Sequence, residues 1–338
     1  MTMPEREPSR ASNAGDYVSG VLRRDRSMLA RAITLIESNA PRHAVLAEQV
    51  VQQLLPHAGN SIRVGITGVP GVGKSTFIES LGCMLCNRGK RVAVLAVDPS
   101  SSLTHGSILG DKTRMEMLSR EADCFIRPSP SGGTPGGVAR KSRETILICE
   151  AAGYDVVLVE TMGVGQGETT VRSMVDFFLV LMLAGAGDEL QGIKKGIIEL
   201  ADALLITKAD GDNKLRAESA RIEFSRVLHY LQSPTPGWQP PVMKCSSKDN
   251  QGIADAWEIV ERFHDATMKS GHFEANRRKQ TLDWIHDMLG QELFQAFLRN
   301  PAVISNRKEM ERQVLAGKIS PTAAVKRLLT IHNHDPEN

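Results

Sequence analysis

The nine residues GVPGVGKST, at positions 68–76, overlap the end of the apolar run IRVGITG and the start of the stretch KSTFIESLGCMLCNRG. The apolar run predicts a buried β-strand, and the longer stretch predicts an α-helix with one apolar face. A Gly-x-x-x-x-Gly-Lys-Ser pattern between a strand and a helix is typical of a loop that cradles phosphates. Its glycines let backbone N–H groups turn inward, and the helix N-terminus adds partial positive charge.

Further apolar runs predict the rest of a sheet. They are RVAVLAVD (91–98), CFIRP (124–128), DVVLVE (155–160), FFLVLML (177–183), ALLITK (203–208) and PVMKCS (241–246). Helical stretches separate these runs, so we predict an α/β fold with a mostly parallel central sheet covered on both faces. Parallel sheets of this kind bind ligands at the carboxyl ends of their strands.

Every residue of the 68–76 loop is a predicted nucleotide contact. The set is Gly68, Val69, Pro70, Gly71, Val72, Gly73, Lys74, Ser75 and Thr76. We expect Lys74 to reach the β- and γ-phosphates and the Ser75 hydroxyl to ligate Mg²⁺. The alternative is a chance glycine-rich turn, which both the motif and its strand–helix context oppose.

Two later stretches predict that the base is guanine. In TKAD (207–210), the carboxylate of Asp210 can accept hydrogen bonds from guanine N1–H and the 2-amino group, which adenine lacks at those positions. Lys208 can lay its methylene stem along the base. The usual form of this motif in guanine-binding proteins is Asn-Lys-x-Asp. Here Thr207 replaces the Asn, and Ala209 fills the variable position. A strand-end turn is the alternative interpretation of this stretch.

The stretch CSSK (245–248) follows the next predicted strand. We expect Ser246, Ser247 and Lys248 to form the loop whose backbone reads guanine O6. TKAD and CSSK both follow the phosphate loop along the chain, each at the end of a predicted strand. The sequence therefore predicts binding of GTP and GDP.

Three acids end strands or begin loops where a metal and the γ-phosphate would lie. Asp98 follows RVAVLAV, Glu160 follows DVVLV, and Asp111 lies in GSILGDKTRM. Mg²⁺ in nucleotide sites uses few carboxylates, together with phosphate and water. Asp98 and Glu160 are therefore candidate ligands beside Ser75, although each acid alone could be a helix cap or a surface charge.

Composition excludes several classes of function. The formal net charge is +2, which gives no reason to expect nucleic acid or a membrane surface as a partner. The longest apolar runs are about eight residues, too short to cross a bilayer. The first residues, MTMPEREPSR, do not have the pattern of a secretory signal. We interpret the CxxC pair Cys83 and Cys86 as small apolar helix residues, because no second Cys pair or His cluster accompanies it.

Long stretches of the chain resemble the MeaB/ArgK/MMAA group of P-loop GTPases. They are ITLIES, RVGITGVPGVGKST, VAVLAVDPSS, GSILGDKTRM, FIRPSPS, CEAAGYDVVLVETMGVGQGE, GAGDELQGIKKGIIELAD and TKADGD. The resemblance spans about residues 33–213 and is weaker in both tails. The chain departs from the family pattern at His105, Pro135, Met162 and Gly167, and none of these departures removes a chemical group used above.

The resemblance implies three nucleotide-sensing switches. Residues near 98–114 correspond to the first, ETMGVGQGE to the second, and GAGDELQGIKKG to a third that is characteristic of this group. Glycines permit the third loop to change shape. The resemblance implies that Lys194 reaches the nucleotide when this loop closes and supplies charge to catalysis, with Lys74, Asp98, Asp111 and Glu160 as the other catalytic candidates. The alternative is a solvated loop with ordinary surface lysines.

The family also implies a function. Its members are GTP-hydrolysing chaperones of adenosylcobalamin-dependent acyl-CoA mutases such as methylmalonyl-CoA mutase, which implies that mutase as partner. We therefore expect a cytoplasmic protein if the source is bacterial, or a protein of the mitochondrial matrix if it is eukaryotic. Two alternatives remain open: a kinase-like phosphotransferase linked to amino-acid transport, for which no acceptor site is evident, and a nickel-insertion GTPase, although the nine His are scattered.

We divide the chain into four predicted regions. They are a disordered N-terminus (1–16), a helical extension (17–58), a P-loop GTPase domain (59–255) and a helical C-terminal extension (256–338). In the last region, LDWIHDMLGQELFQAFL places an apolar stripe on one helix face, formed by Leu282, Ile285, Leu289, Leu293 and Phe297. The family resemblance implies a homodimer through this region.

Overall fold

The computed structural model describes residues 13–97, 115–128, 135–161, 167–185 and 195–333. Within them, one sheet contains β1 (Ile62–Gly68), β2 (Val92–Val97), β3 (Cys124–Arg127), β4 (Val156–Thr161), β5 (Phe177–Leu183), β6 (Ala203–Thr207) and β7 (Val242–Lys244). The strands are parallel, in the order β3-β2-β4-β1-β5-β6-β7. The predicted α/β fold with a parallel P-loop sheet is confirmed.

Helices cover both faces of the sheet. The apolar cluster on one face contains α6 (Pro135–Ala151), α7 (Gly167–Arg172), α8 (Lys195–Ile198) and α9 (Lys214–Tyr230). The same cluster continues into α1 (Ala14–Leu22), α2 (Arg26–Glu37) and α3 (Pro41–Leu54), which pack against one another and against α6. The other face packs against α4 (Lys74–Asn87), α5 (Glu116–Arg120) and α10 (Ile253–Lys269). Strands with two covered faces need apolar residues at every position, which is why they appear in the sequence as unbroken apolar runs.

Two elements cross the predicted region boundaries. Helix α1 begins at Ala14, inside the stretch 1–16, because Asn13 and Asp16 form a capping box that satisfies its first N–H groups. Helix α10 crosses residue 255, and its Trp257 and Phe263 are buried against the sheet. The four-region division stays a prediction.

The chain divides into two compact units, Met1–Gln280 and Thr281–Asn338. The second contains most of α11 (His272–Arg299), with α12 (Pro301–Leu315) and α13 (Pro321–Asn333). On α11 the predicted stripe is solvent-exposed, with Leu282 57%, Ile285 52%, Leu289 56% and Leu293 62% exposed. None of the described helices is long and apolar enough to span a membrane.

A buried ion-pair network lies at the amino ends of the strands. Glu150 on α6 accepts hydrogen bonds from Arg63 Nε and Nη2, both at 2.8 Å, and from Ser61 Oγ at 2.6 Å. Burial alone would raise the pKa of the Glu150 carboxyl, but the hydrogen bonds and charge of Arg63, with smaller contributions from Ser61 and Arg277, outweigh it and hold the pKa below its ordinary value. The pair therefore joins α6 to the start of β1.

We expect Glu150→Gln to lower the free energy of unfolding by about 3 kcal/mol at pH 7, because it leaves the Arg63 guanidinium without its anion. A carboxyl with a lowered folded pKa stabilises the fold above its unfolded pKa, and that stabilisation is lost as pH falls through the folded pKa. The difference in free energy of unfolding between wild type and variant, measured by denaturant unfolding, should therefore shrink as the pH is lowered below the ordinary pKa of Glu. Glu116→Gln, which removes an exposed pair with Arg120, should change stability by less than about 1 kcal/mol at either pH. If Glu150→Gln lowered the free energy of unfolding equally at every pH, the proposed link between the Glu150 pKa and stability would be contradicted.

Candidate functional site

The loop between β1 and α4 is shaped by glycines at two positions, one because a neighbouring strand lies close and one because its backbone conformation favours glycine. Gly68 has φ 150°, and a Cβ there would lie 2.5 Å from the Leu181 carbonyl oxygen on β5. Gly73 has φ 101°, a left-handed conformation that turns the chain into the first turn of α4. Helix α4 then begins at Lys74, so its free N–H groups face the loop at the carboxyl end of β1.

Lys74 lies over this loop. Its Nζ donates to the carbonyl oxygens of Gly68 at 2.7 Å and Val69 at 3.4 Å. Burial lowers the pKa of Lys74, and the nearby carboxylates of Glu160 and Glu168 partly offset that effect. The ammonium is thus partly desolvated, where its interaction with a phosphate is stronger than in water.

Sequence reasoning did not single out Glu168. It is the last residue of the quoted ETMGVGQGE stretch and the second residue of α7, and it is 1% exposed. A glutamate that follows a glycine-rich loop resembles a surface charge in the sequence, and only the packing of α7 against β1 and β4 makes it a buried neighbour of Lys74.

Ser75 and Glu160 meet at the carboxyl end of β4. Ser75 Oγ donates to Glu160 Oε1 at 3.1 Å, and Glu160 is 3% exposed. Mg²⁺ prefers oxygen ligands such as hydroxyl and carboxylate groups, so the side chains of Ser75 and Glu160 fit the predicted metal. The described residues contain no group of three or more His, Cys, Asp or Glu side chains that could hold a metal ion by themselves. Asp98, Asp111 and Lys194 lie outside the described residues.

The strand end at Thr207 is tied to the phosphate loop. Thr207 Oγ1 lies 2.7 Å from the Val72 carbonyl oxygen and 3.2 Å from that of Met182. Lys208, with φ 55°, reaches back so that its Nζ donates to the Gly71 carbonyl at 2.8 Å. The threonine that replaces the usual asparagine thus has a hydroxyl positioned to connect the two loops.

The two stretches predicted to read guanine also meet. Ser246 Oγ donates to Asp210 Oδ2 at 2.8 Å, and Ala209 N donates to the Cys245 carbonyl at 3.0 Å. The Ser247 carbonyl accepts from Ser80 Oγ on α4 at 3.4 Å. Lys248, next in the loop, is exposed. The structure therefore gathers residues 68–76, Glu160, 207–210 and 246–248 at the carboxyl ends of β1, β4, β6 and β7.

The CxxC pair lies on α4, away from the phosphate loop. Cys83 and Cys86 are both free thiols. Burial raises the pKa of Cys86 to about 11, with Glu121 as the next cause, and burial likewise raises the pKa of Cys83. A raised thiol pKa disfavours the reactive thiolate, in agreement with the interpretation of these residues as small apolar side chains.

Comparison with known proteins identifies the family. Residues 29–302 match the family model described as methylmalonyl-CoA mutase-associated GTPase MeaB. The chain belongs to the MeaB family. This MeaB-family chain is 49% identical to a probable GTPase of Mycobacterium tuberculosis strain H37Rv over 96% of its own length and 97% of the relative's. The predicted GTPase activity is confirmed at the level of the family.

Relatives of the MeaB-family chain occur in other bacteria and in animals. It is 45% identical to the GTPase ArgK of Escherichia coli, over 90% of this chain and 92% of that one. It is 43% identical to the mouse mitochondrial methylmalonic aciduria type A homolog, over 92% of this chain and 77% of the mouse protein. A solved structure of a LAO/AO transport system kinase matches with a TM-score of 0.77 and 36% identity, over 97% of this chain and all of that chain.

The contact of Thr207 with the phosphate loop can be tested by removing its hydroxyl. Thr207→Val keeps the shape of the side chain but leaves the Val72 carbonyl with one fewer donor, a loss of about 1 kcal/mol. We expect the dissociation constant of GDP, measured by titration calorimetry, to rise about fivefold to tenfold. Thr207→Ser, which keeps the hydroxyl, should bind GDP like wild type. Equal affinity of the Val variant would mean that the hydroxyl does not position the loop.

Proposed function

We propose that this MeaB-family GTPase binds Mg²⁺·GTP and couples its hydrolysis to the delivery of adenosylcobalamin to a B12-dependent acyl-CoA mutase, and to the protection or reactivation of that enzyme. The observation that carries the proposal is the match of residues 29–302 to a family described by its association with methylmalonyl-CoA mutase. The name of the mouse relative, which refers to methylmalonic aciduria, supports the same partner.

In the proposed mechanism the phosphate loop and Lys74 position the GTP phosphates. Ser75 and Glu160 would hold Mg²⁺, which would supply positive charge beside the phosphates. Lys74, already partly desolvated, stabilises charge that develops on the transferred phosphoryl group. The carboxylates of Glu160 and, to a smaller extent, Glu168 favour the charged form of the ammonium and partly offset its burial. We assign Asp98 and Asp111, from their positions after a strand and in a loop of the sequence, to the metal and γ-phosphate side of the site.

In the same proposal the base is held at the opposite end of the site. Asp210 accepts from guanine N1–H and the 2-amino group, and Ser246 orients that carboxylate through its 2.8 Å hydrogen bond. Lys208 covers the base with its methylene stem. Backbone N–H groups of Ser247 and Lys248 lie in the loop that would read O6.

The proposed partner and the third switch are tested together. Lys194→Ala should leave GDP affinity within about twofold, because GDP has no γ-phosphate for the switch to sense. Hydrolysis stimulated by purified methylmalonyl-CoA mutase should fall about 10²-fold, because a closed loop places the ammonium beside developing charge. The measurement is single-turnover GTP hydrolysis with and without the mutase. Lys195→Ala is the matched control and should keep most of the stimulation.

Each outcome of this experiment separates a different part of the proposal. A wild-type protein that the mutase neither binds nor stimulates would contradict the partner. Full stimulation of the Lys194 variant would contradict the switch role and leave the partner in place. Transfer of labelled γ-phosphate to protein, instead of release as phosphate, would favour the kinase function that the name of the solved relative suggests.

We also propose a homodimer through the exposed stripe of α11. Large apolar side chains at 282, 285, 289 and 293 are each more than half exposed, as expected of a helix face that a partner covers. Sedimentation of the full chain at micromolar concentration should give the dimer mass. A monomer under these conditions would refute the assignment.

A further inference from the structure

The four residues 173–176 connect α7 to β5, and one end of this connector is held by α11. Arg277 donates from Nε and Nη2 to the two carboxylate oxygens of Asp176, at 2.8 and 2.7 Å. Its guanidinium also donates to the carbonyl oxygens of Gly59 and Ser61, both at 2.6 Å, and packs over the Phe273 ring at 4.5 Å. The Asp176 carboxylate is therefore bound bidentately, which defines its position more strictly than a single bond.

The rest of the connector is held by two more polar side chains. Gln280 Nε2 donates to the Val175 carbonyl at 2.7 Å. Arg143 on α6 donates from Nη2 to Ser173 Oγ at 2.7 Å and from Nη1 to the Gln280 backbone carbonyl at 3.3 Å. Arg143, Arg277 and Gln280 together form what we call the connector clasp.

The clasp joins the connector to the first turns of α11. On one side, the connector follows α7 directly, and α7 packs against β1 and β4, the strands that carry Gly68 and Glu160 near their carboxyl ends. Residues 162–166, which precede α7, belong to the stretch that corresponds to the second switch. On the other side, Arg277 and Gln280 lie in the first three turns of α11, an uninterrupted helix that continues to Arg299.

We propose that the connector clasp couples the nucleotide state of the site to the position of the first turns of α11, residues 272–280. A shift of α7 when the γ-phosphate is present moves the connector, and the clasp contacts either follow it or break. Because these bonds involve half-buried or buried groups, breaking one without replacement costs more than an exposed bond would. Arg277 and Gln280 are one turn apart on a stiff helix, so the start of α11 responds as a unit. The proposal rests on GTP binding and not on the mutase.

The test is hydrogen–deuterium exchange of the full chain, free, with GDP, and with a non-hydrolysable GTP analogue. We expect the amides of residues 272–285 to differ in protection between the two nucleotides by about fivefold or more, a typical coupling between sites. Gln280→Met, which keeps the side-chain volume but removes the donor to Val175, should reduce that difference to less than about twofold. Arg278→Met, which changes an exposed neighbour on the same helix, should keep it.

Thermodynamic linkage between nucleotide binding and the clasp gives a second measurement, the ratio of two nucleotide affinities. A clasp with a purely structural role would leave this ratio unchanged. If nucleotide changes the docking of α11, the clasp must change the ratio of GDP affinity to GTP-analogue affinity by the same factor. Gln280→Met should shift this ratio about threefold or more. Ser173→Ala removes the hydroxyl that accepts from Arg143 and donates to the Thr170 carbonyl on α7. It should shift the ratio in the same direction and serves if Gln280→Met does not fold. Wild-type exchange that is identical in both nucleotides, or clasp variants that keep the full difference, would overturn the proposal.

Discussion

Asp210→Asn is expected to weaken GDP binding by at least about 10³-fold. When a site is built to pair buried polar groups, a ligand that leaves those groups unpaired is discriminated against by a factor of about 10⁴–10⁵. The substitution replaces an acceptor oxygen by an amide that can present a donor to the guanine 2-amino group, itself a donor. The effect is enhanced by Ser246, whose Oγ donates to Asp210 Oδ2 at 2.8 Å and orients the carboxylate. The same change should improve binding of xanthosine diphosphate, which has a carbonyl in place of the 2-amino group.

Titration with GDP, ADP and xanthosine diphosphate measures this change of selectivity directly. The gain of xanthosine diphosphate binding separates a reversed hydrogen bond from a damaged fold. Asp212→Asn, an exposed acid two residues along, is the control and should leave all three affinities unchanged. Wild-type protein that binds ADP as tightly as GDP would remove the assignment of guanine to this site.

Lys74→Ala is expected to reduce single-turnover GTP hydrolysis by about 10²–10³-fold, the usual effect of removing one charge-stabilising donor from a phosphoryl-transfer or oxyanion site. The reason lies in the geometry of the free site. The ammonium is partly buried and held by the Gly68 and Val69 carbonyls, so a phosphate that replaces those acceptors meets a cation that is already in place. Preorganisation of this kind avoids rearrangement during the reaction.

Single-turnover conditions, with enough enzyme in excess to bind all of the GTP, separate loss of chemistry from loss of binding. Lys90→Ala, an exposed lysine just beyond the C-terminus of α4, is the matched control and should hydrolyse GTP at the wild-type rate. Retention of more than about a tenth of wild-type activity by Lys74→Ala would mean that another group supplies the charge.

The sheet could be predicted almost completely from the sequence, because strands buried on both faces must be apolar throughout. Each of the seven predicted runs forms a strand of the parallel sheet. The phosphate loop was equally clear, since its glycines are required by close approaches such as that of Gly68 to the Leu181 carbonyl. The end of the sheet-bearing region was less clear. Helix α10 crosses residue 255, which the sequence pattern could not show. A helix that covers a sheet has the same apolar period as a helix in an extension, and only the burial of Trp257 distinguishes them.

The sequence by itself determined the parallel fold, the phosphate loop, the candidate guanine stretches and the family, because each is carried by short patterns of adjacent residues. Tertiary structure alone decided the contacts between distant segments. Thr207 meets Val72 across 135 positions, and Arg277 meets Asp176 across 101. No local period or motif encodes such a pairing, since each partner alone has the pattern of an ordinary strand-end or helix residue. The order of the strands and the packing of the helices bring these groups within hydrogen-bonding distance, and burial then makes their pairing necessary.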